Sequence, residues 1–583
     1  MHADRAFPNG ELEVKSITTL SAALTLSFLA AFAQGQTTWY VDDDAPGGTG
    51  TSWADAFIDL HDALGLAQPG DQIWIAAGVY TPDSTGTDDT LTFFVPNGVA
   101  LYGGFAGNEL LLDQRDPSVN ITSLSGDIDG DDDDGFGSNG NINGPNSDHV
   151  VTIDGADSST RLDGLEIIRA HGFPNASLSR GGGLNIVNGS PTIVNCRFWR
   201  NFSQQAGAVN IGNGAPSFEG CLFEFNIGSS FQGYGGGIYV SGTSSAIVED
   251  CTFNGNKGEG ILTHAYGGAI YTEAGAQLTV NRCQFIGNIA LNRGNGGSGV
   301  SRGGAIFCQG DTVISNSTFD RNISTNAGAI QSWNTTGATR IHNSTFRNND
   351  GISSFVGSQD YGGSAGAIAG GDELEIIGCV VYGGDADNYG GAWVGANAKV
   401  ANSIFWGNTD SNGSIGRSNI RSSGDIEYCC VQNMLLGEPG EDPPDPEKFP
   451  GSISNDPMFV DPAQGDFRLQ AGSPCIDAAD NSAWPVTVIS DLDANPRFHD
   501  DPATFDTGIG PAPVSDMGAY EFGSTLSTCP PDLNNDGALD FFDISAFLTA
   551  FTSMDPVADF TNDGTFDFFD ISAFLNAFAA GCP

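Results

Sequence analysis

The C-terminal segment contains a duplicated pattern of oxygen-bearing side chains. In the first copy, positions 1, 3, 5, 7, 9 and 12 of a loop are Asp532, Asn534, Asp536, Ala538, Asp540 and Asp543. In the second copy they are Asp559, Thr561, Asp563, Thr565, Asp567 and Asp570. Side-chain oxygens at this spacing, with a backbone carbonyl at position 7 and glycine at position 6, form a calcium loop. The sequence therefore predicts two calcium sites. We expect the second to be weaker, because Thr561 is a poorer ligand than Asn534.

Each loop is followed by an apolar segment, residues 544–551 and 571–578, in which Phe and Leu recur at helical spacing. This spacing predicts two short helices that pack the two halves of the module against each other. The alternative for the acidic loops is a pair of surface turns that bind no metal.

The duplicated loop and helix, with Asp at position 12 and no helix entering the first loop, resembles a dockerin module. The flanking Cys529 and the terminal Gly581-Cys582-Pro583 are similar to the variant found in planctomycete-type surface proteins. The resemblance covers residues 529–583. It implies two bound calcium ions and a cohesin-like or cell-surface docking partner. In an exported chain we expect Cys529 to bond Cys582, since that bridge would join the two ends of the module.

Composition and charge restrict the remaining function classes. The chain has 583 residues, 81 of them glycine, and a formal net charge of −50. So acidic a chain is not expected to bind nucleic acid or anionic membranes through basic patches. The glycine content favours a long, turn-rich β structure. The many Asp residues either bind calcium at several places or only keep the protein soluble.

The N-terminus carries an export pattern. Lys15 precedes an apolar run over residues 17–32, which ends in the small-x-small triplet Ala31-Phe32-Ala33. This is typical of a secretory signal peptide, here residues 1–35; a retained membrane helix is the alternative. The acidic stretch before Lys15 also suggests a true start near Val14. We therefore predict a secreted, extracellular or cell-surface protein with no transmembrane segment after signal removal.

The middle of the chain repeats a short word, a small residue followed two positions later by Phe and five positions later by Asn. The small residues of the clear copies are Cys196, Cys221, Cys251, Cys283, Ser317, Ser344 and Ser403, with a looser copy at Cys379. A repeat of roughly 24–35 residues is typical of a solenoid. Because Ser and Cys exchange at this position, we interpret it as a small inward side chain rather than half of a disulfide.

Short β-branched strands and Gly- and Asn-rich turns make each repeat one coil of a parallel β-helix. The recurrent Phe is predicted to stack inward. The recurrent Asn is predicted at a turn, where it bonds the backbone and tolerates a left-handed conformation. We therefore predict an all-β, right-handed parallel β-helix solenoid with a small α-helical, calcium-binding, dockerin-like C-terminal domain.

Two segments are expected to close the solenoid. Residues 36–110 combine strands with a short amphipathic helix near Trp53, which would cap the first coil. Residues 111–454 form the repeats, and residues 455–523 close the far end with the words Asp491-Leu-Asp-Ala-Asn-Pro-Arg and Asp516-Met-Gly-Ala-Tyr-Glu. These features resemble right-handed β-helix proteins related to pectate lyases and polymorphic outer-membrane adhesins.

The resemblance leaves the function open between two classes. One is adhesion or carbohydrate binding, with a polysaccharide stacked on aromatic residues of the solenoid; the aromatic candidates are Trp199, Trp333, Tyr361, Trp393 and Trp406. The other is a polysaccharide lyase or glycoside hydrolase. No catalytic residue can be assigned for it: Asn408-Thr-Asp410 lacks the companion words of a polygalacturonase and is interpreted as a turn. Basic candidates are Arg302, Arg321 and Arg340. An acidic stretch from Asp127 to Asp134 is either a third calcium loop or a solvated one.

Overall fold

The computed structural model describes part of the chain. The described residues are 36–583 without 133–141, 173–178, 294–299, 334–336, 352–364, 411–417, 423, 425, 435–447, 525–530, 534–538, 540, 554–555, 562–564 and 581–583. The predicted signal peptide, Tyr361, and both Cys529 and Cys582 lie outside the described residues.

A parallel β-helix occupies most of the described chain, as predicted. The coils contribute strands to four long sheets, numbered here in chain order within a coil, and the first coils lack a strand in sheet 3; all neighbouring strands of these sheets run parallel. Sheet 1 contains Thr38–Val41, Gln72–Ala76, Ala100–Phe105, Arg161–Asp163, Thr192–Val194, Ser217–Glu219, Ser245–Glu249, Gln277–Asn281, Asp311–Ser315, Thr339–His342, Leu374–Ile377, Lys399–Ala401 and Ile426–Glu427. Sheet 2 contains Gly78–Tyr80, Thr122–Ser125, Glu166–Ile168, Arg197–Trp199, Leu222–Glu224, Thr252–Asn254, Gln284–Ile286, Thr318–Asp320, Thr345–Arg347, Val380–Tyr382, Ile404–Trp406 and Cys430–Val431.

The other two long sheets complete each coil. Sheet 3 contains His171–Gly172, Phe202–Ser203, Ile227–Ser230, Lys257–Gly260, Ile289–Asn292, Ile323–Ser324, Asp350–Gly351, Asp385–Ala386 and Thr409–Asp410. Sheet 4 contains Phe93–Phe94, Val151–Asp154, Leu184–Val187, Val209–Gly212, Ile238–Ser241, Ile270–Thr272, Ile306–Cys308, Ile330–Ser332, Ile368–Gly370, Ala392–Val394 and Ile420–Ser422. A small parallel sheet of Gly233–Tyr234, Ala265–Tyr266 and Ser301–Arg302 lies between sheets 3 and 4 in the chain. Thr409–Asp410 is therefore a strand, and its interpretation as a turn was wrong.

The recurrent Phe residues form the predicted inward column. Rings of successive coils from Phe198 to Phe346 stack with centroids 4.5–4.8 Å apart and planes within 6° of parallel. These rings are buried within one continuous apolar core. The centroid spacing equals the distance between neighbouring strands, so each ring packs on the ring of the next coil.

The recurrent Asn residues are buried and bond to one another along the helix axis. Asn256 donates from Nδ2 to the Phe223 carbonyl at 2.8 Å and to Asn288 Oδ1 at 3.0 Å. Its Oδ1 accepts from the backbone N–H and the Nδ2 of Asn226. The prediction of a left-handed Asn was wrong, because the residue before it takes that conformation, as Phe225 does at φ 54° and Gly255 at φ 63°. The side chain is thus free to bond inside the turn.

The small residues form a second ladder, and the structure confirms that they are inward side chains without disulfide bonds. Among the described residues, none of the nine cysteines outside the predicted bridge forms a disulfide, and all nine are buried. The Cys283 backbone N–H donates to Ser317 Oγ at 3.1 Å, and that of Ser403 donates to Cys429 Sγ at 3.4 Å. Cys429, which the sequence left unassigned, therefore continues the ladder.

The N-terminal cap has the predicted form. The helix Leu60–Leu66 is preceded by the 3-10 turn Trp53–Asp55. Asp59 is the N-cap of the helix, and its side chain accepts the His61 N–H at 2.8 Å. Asp59 is a favoured N-cap residue because it satisfies an orphan N–H. Leu60, Ala63 and Leu64 are buried in the core, so the helix covers apolar surface of the first coils.

The closing region packs along the sides of the last coils rather than only over their end. It contains one antiparallel pair, Phe459–Asp461 with Asp466–Leu469. Its apolar side chains cover the outward residues Val380, Ile404 and Cys430, which lie in register on sheet 2. Trp484 and Val488 cover outward residues of sheet 1 in the same way.

Three further elements and one absence complete the fold. A 3-10 turn lies at Leu112–Gln114, and the C-terminal module contains the helices Phe541–Ser553 and Phe568–Ala580 with a 3-10 turn at Pro556–Ala558. Of the helices in the described ranges, none is long and apolar enough to cross a membrane.

Candidate functional site

The two helices of the C-terminal module pack as the sequence predicts. Phe547 and Phe574, at equivalent positions of the repeat, stack with centroids 4.1 Å apart and planes 5° from parallel. Both rings are buried together with Ala558. The duplicated loops therefore share one small apolar core, which holds the start of each helix in place.

In the second loop, Asp570, the residue at position 12, accepts hydrogen bonds from the loop backbone and from Thr561. Asp570 is fully buried and accepts from the Thr561 backbone N–H at 3.0 Å, the Thr561 Oγ1 at 2.9 Å and the Asp567 N–H at 2.9 Å. These donors, that of Asp567 foremost, lower the pKa of the carboxyl, which is therefore ionised at neutral pH. A buried, ionised carboxylate among further oxygen donors fits a calcium ion. Thr565 and Asp559 are also described, whereas Asp563 is not.

The first loop is described only at its two ends. Asp543 lies in the first turn of its helix and is fully buried, as its counterpart Asp570 is. Asp532, at position 1, is also described. Asn534, Asp536, Ala538 and Asp540 lie outside the described residues. Calcium binding by both loops stays a prediction.

The acidic stretch beginning at Asp127 is partly described, and its observed part is internally bonded. Asp127 accepts from the backbone N–H groups of Gly130 and Asp131 and lies 3.5 Å from the Arg169 guanidinium. Oxygens of Asp127, Asp131 and Asp132 lie within 4.8 Å of one another. Because Asp127 already has a cation and backbone donors, a metal ion is not needed to satisfy it. Asp133 and Asp134 lie outside the described residues.

An arginine–aromatic face lies on the outside of the solenoid along sheet 4. Its lower layer, the strand column, consists of outward residues in register: Asn185, Asn210, Tyr239, Tyr271, Phe307 and Gln331. Its upper layer, the turn column, consists of residues from successive coils, each of which lies shortly before the sheet 4 strand of its coil: Arg180, Gln205, Tyr234, Tyr266, Arg302 and Asn326. Six coils at about 4.8 Å make the face roughly 24 Å long.

Aromatic rings stack within each column, and Tyr234 contacts Tyr271 edge-on across the two columns at 4.9 Å. Tyr234 and Tyr266 stack with centroids 5.5 Å apart, and Tyr239 and Tyr271 stack at 5.1 Å beneath them. The Arg302 guanidinium carbon lies 4.4 Å from the ring centroid of Trp333, which is 50% exposed. No carboxylate of the described chain forms an ion pair with Arg302. Trp333 thus presents a flat apolar ring to solvent beside the Arg302 cation. Tyr234 and Tyr266 are half-buried, and Tyr239, Tyr271 and Phe307 are buried beneath them.

Several buried polar atoms on this face lack hydrogen-bond partners within the described ranges. They are Gln205 Oε1, Asn210 Oδ1, Asn326 Oδ1, Gln331 Oε1 and Arg302 Nε. A buried polar atom without a partner costs about 1–3 kcal/mol. So many on one face indicate that hydroxyl-rich molecules, water included, complete its hydrogen bonds.

A model of the family described as right handed beta helix region matches residues 141–273 and, in an overlapping match, residues 182–365. The solenoid is therefore similar to right-handed β-helices there. No curated protein matches the sequence.

Solved structures with similar folds include carbohydrate-related proteins. The chain is similar to pectate lyase Pel9A, with 15% identity, a TM-score of 0.34, and coverage of 83% of this chain and 96% of that one. It is similar to pectin methylesterase PemA from Erwinia chrysanthemi, with 14% identity, a TM-score of 0.27, and coverage of 66% and 92%. It is also similar to the tailspike protein of E. coli bacteriophage HK620 in complex with a pentasaccharide, with 14% identity, a TM-score of 0.25, and coverage of 68% and 67%.

A lysine–glutamate–arginine group lies on sheet 3, on the strand just before Tyr266. Lys257 Nζ lies 3.5 Å from Glu259 Oε2, and the Arg293 guanidinium contacts Oε1 of the same carboxylate. Burial lowers the pKa of Lys257, partly opposed by Glu259. The expectation that a lyase base would be an arginine passed over Lys257, because the sequence alone does not show that Lys257 is buried beside Glu259.

Two carboxylates follow in the same register column of sheet 3. Asp350 pairs in register with Asp385, and the Thr409 hydroxyl donates to Asp385 Oδ1 at 2.8 Å. Burial, with the charge of Asp385, raises the pKa of Asp350 to about 6. Such a group can act as a general acid at neutral pH.

The aromatic and arginine candidates from the sequence are distributed over several surfaces. Trp333 belongs to the arginine–aromatic face, and Trp393 is exposed farther along the strand column. Trp199 is contacted by the guanidinium groups of Arg169, Arg197 and Arg200. The expectation of an exposed Trp406 was wrong, because it packs against the closing region. Arg321 pairs with Asp320 and Arg340 with Asp311, so only Arg302 of the three basic candidates lies on the face.

Proposed function

We propose that this chain is a secreted or cell-surface protein that binds a polysaccharide along the arginine–aromatic face and is attached through its calcium-dependent, dockerin-like module. The observation that carries the proposal is the alignment on one face of stacked tyrosines, buried acceptors and Arg302, which has no carboxylate partner among the described residues. Sugar rings present apolar C–H faces to aromatic rings and hydroxyl groups to amides. An arginine at this place in a chain of net charge −50 favours a glycan that carries carboxylates.

The attachment part of the proposal rests on the duplicated loops. Asp570 and Asp543 are the buried carboxylates that would hold calcium in each loop, with the other predicted ligands around them. Calcium would fix the start of each helix and so order the surface that a cohesin-like or cell-surface partner contacts. Export rests on the pattern of the first 35 residues.

Binding is tested with immobilised acidic and neutral polysaccharides and the full chain without residues 1–35. Trp333→Ala and Arg302→Gln should each weaken binding at least about fivefold, because each removes a stacking or charged contact. Phe505→Ala is the matched control, since Phe505 is 85% exposed and belongs to the closing region. Equal binding by all three variants and the parent would refute the proposed face.

An enzymatic alternative is favoured by the Lys257 group. A polysaccharide lyase needs a base with a lowered pKa and a positive charge beside the uronate, and Lys257 with Arg293 offers both next to the face. Incubation with uronate polysaccharides followed by mass spectrometry separates the functions. Unsaturated products that disappear in Lys257→Met would establish the lyase. Hydrated products that disappear in Asp350→Asn would establish a hydrolase, and unchanged polymers would leave the binding function.

A further inference from the structure

The carboxylate of Asp477, in the closing region, is buried. The residue is fully buried, and neither Oδ1 nor Oδ2 has a hydrogen-bond partner of normal geometry among the described residues. The Asp501 N–H faces this carboxyl and lowers its pKa, but burial, together with Asp500 and Asp506, raises the pKa to about 6. An isolated buried carboxylate is costly unless a proton or a cation accompanies it.

The backbone of Asp477 is held from two sides. Its carbonyl accepts from the N–H groups of Thr507 and Gly508 at 2.9 and 3.0 Å. Its N–H donates to the buried Asp516 Oδ1 at 2.8 Å. Asp477 also has a left-handed backbone at φ 49°, which is uncommon for a residue other than glycine. These restraints fix the side chain in the direction of the segment that contains Asp500 and Asp506.

Two further carboxylates meet Asp477 there. One oxygen each of Asp477, Asp500 and Asp506 lies within 4.8 Å of the other two. None of the three forms an ion pair with a basic side chain in the described parts of the chain. The neighbouring Asp501 does not complete the group, since its carboxylate accepts from Ala503 N and Thr504 Oγ1.

We infer that Asp477, Asp500 and Asp506 bind a divalent cation, calcium by preference, which fastens the segment 500–507 to the buried turn at Asp477. The ligand atoms are all carboxylate oxygens, which hard cations prefer. Calcium–oxygen distances of about 2.3–2.6 Å place two ligands of one ion up to roughly 5 Å apart, which accommodates the observed spacing. Waters would complete the coordination, because Asp500 and Asp506 are exposed.

The cation would stabilise the cover over the last coils. The turn that contains Asp477 also contributes Cys475, Ile476 and Ala478 to the cluster that covers sheet 2. Fastening the turn to residues 500–507 therefore strengthens the part of the closing region that keeps water from Val380 and Ile404. This site is separate from the loops of the C-terminal module and from the arginine–aromatic face.

Equilibrium dialysis of radioactive calcium against the full chain without residues 1–35 tests the inference. Asp477→Asn should bind one calcium ion fewer than the parent, and Asp493→Asn is the charge-matched control from the same region. The module loops are identical in all variants, so the difference reports this site. An equal number of bound ions in the parent and in folded Asp477→Asn would overturn the inference.

Proteolysis gives a second readout and covers a failure of Asp477→Asn to fold. Phe505 is 85% exposed between two of the ligands, and chymotrypsin cleaves after it. Calcium should slow this cleavage at least about tenfold in the parent, since a fastened segment must open before it is cut. Asp506→Asn, which alters an exposed residue, should lose that protection. Cleavage at the same rate with and without calcium in the parent would also overturn the inference.

Discussion

Replacing Asn256 by Ala should destabilise the solenoid through the polar ladder rather than through lost packing. Asn256 makes four hydrogen bonds with its side chain. Three of the groups it contacts keep another partner: Asn226 Nδ2 also donates to the Phe198 carbonyl, Asn288 Oδ1 also accepts the Asn256 backbone N–H, and the Phe223 carbonyl lies in register to accept the Asn254 N–H within sheet 2. Only the Asn226 backbone N–H, which is buried, loses its partner.

The magnitude follows from that one group. A buried polar group without a partner costs about 1–3 kcal/mol, so the free energy of unfolding should fall by about that amount. Asn254→Ala is the matched control, because Asn254 lies on the adjacent strand of the same coil, points outward and makes one bond of 3.3 Å to Glu224. Its effect should stay within about 0.5 kcal/mol.

The assay is guanidinium unfolding followed by circular dichroism, with the unfolding midpoint and slope compared between variants. Asn256→Asp adds a second test, since the introduced carboxylate accepts hydrogen bonds but cannot donate to the Phe223 carbonyl. Burial raises the pKa of that carboxyl above its unfolded value, so the penalty should shrink as pH falls and the group gains a proton. Equal midpoint shifts for Asn256→Ala and Asn254→Ala would refute the ladder argument.

Three further predictions concern single residues. Burial lowers the pKa of His149, whose Nδ1 lies 2.9 Å from the Gly181 carbonyl. Because the unfolded state therefore binds the proton more readily, the stability of the fold should decrease as pH drops below about 6.5. His149→Asn should reduce that loss, as measured in thermal melts. Arg497→Met should lower the free energy of unfolding of the closing region by about 3–5 kcal/mol, because buried Arg497 pairs with Glu521 and donates to the Gly518 and Ala519 carbonyls. Hydrogen exchange measures this change, and an unchanged exchange rate would contradict the prediction. Cys283→Ser should change the unfolding midpoint by less than the equivalent of about 1 kcal/mol, since Ser317 fills the same position one coil later; a large loss would show that the ladder requires sulfur.

The sequence predicted the coils because inward positions repeat the same residue types. Phe253 and Cys251 recur with each coil since a stacked core accepts only one size and shape at each position. The arginine–aromatic face could not be predicted in this way. Tyr266 and Arg302 share no residue type, and loops of different length separate them, so only the strand register shows that they are neighbours.

The acidic group in the closing region was equally hidden. Asp477 and Asp506 lie 29 residues apart in a segment with few strands and no period. The motifs around Asp491 and Asp516 identified the closing region. They did not predict that Arg497 would be buried between them or that the region would fold back along sheets 1 and 2. Irregular chain gives no periodic signal from which such contacts can be read.

The equality between ring spacing and strand spacing has an evolutionary consequence. Each coil is an interchangeable unit of length, so removing one repeat, such as the 32 residues from Lys257 to Asn288, would rejoin the Phe stack and the Asn ladder without a change in pitch. The molecule would shorten by about 4.8 Å, as would any surface that runs along its axis. Duplication or loss of a repeat in the gene can thus adjust the length of the proposed glycan-binding face, while the packing inside each coil stays the same.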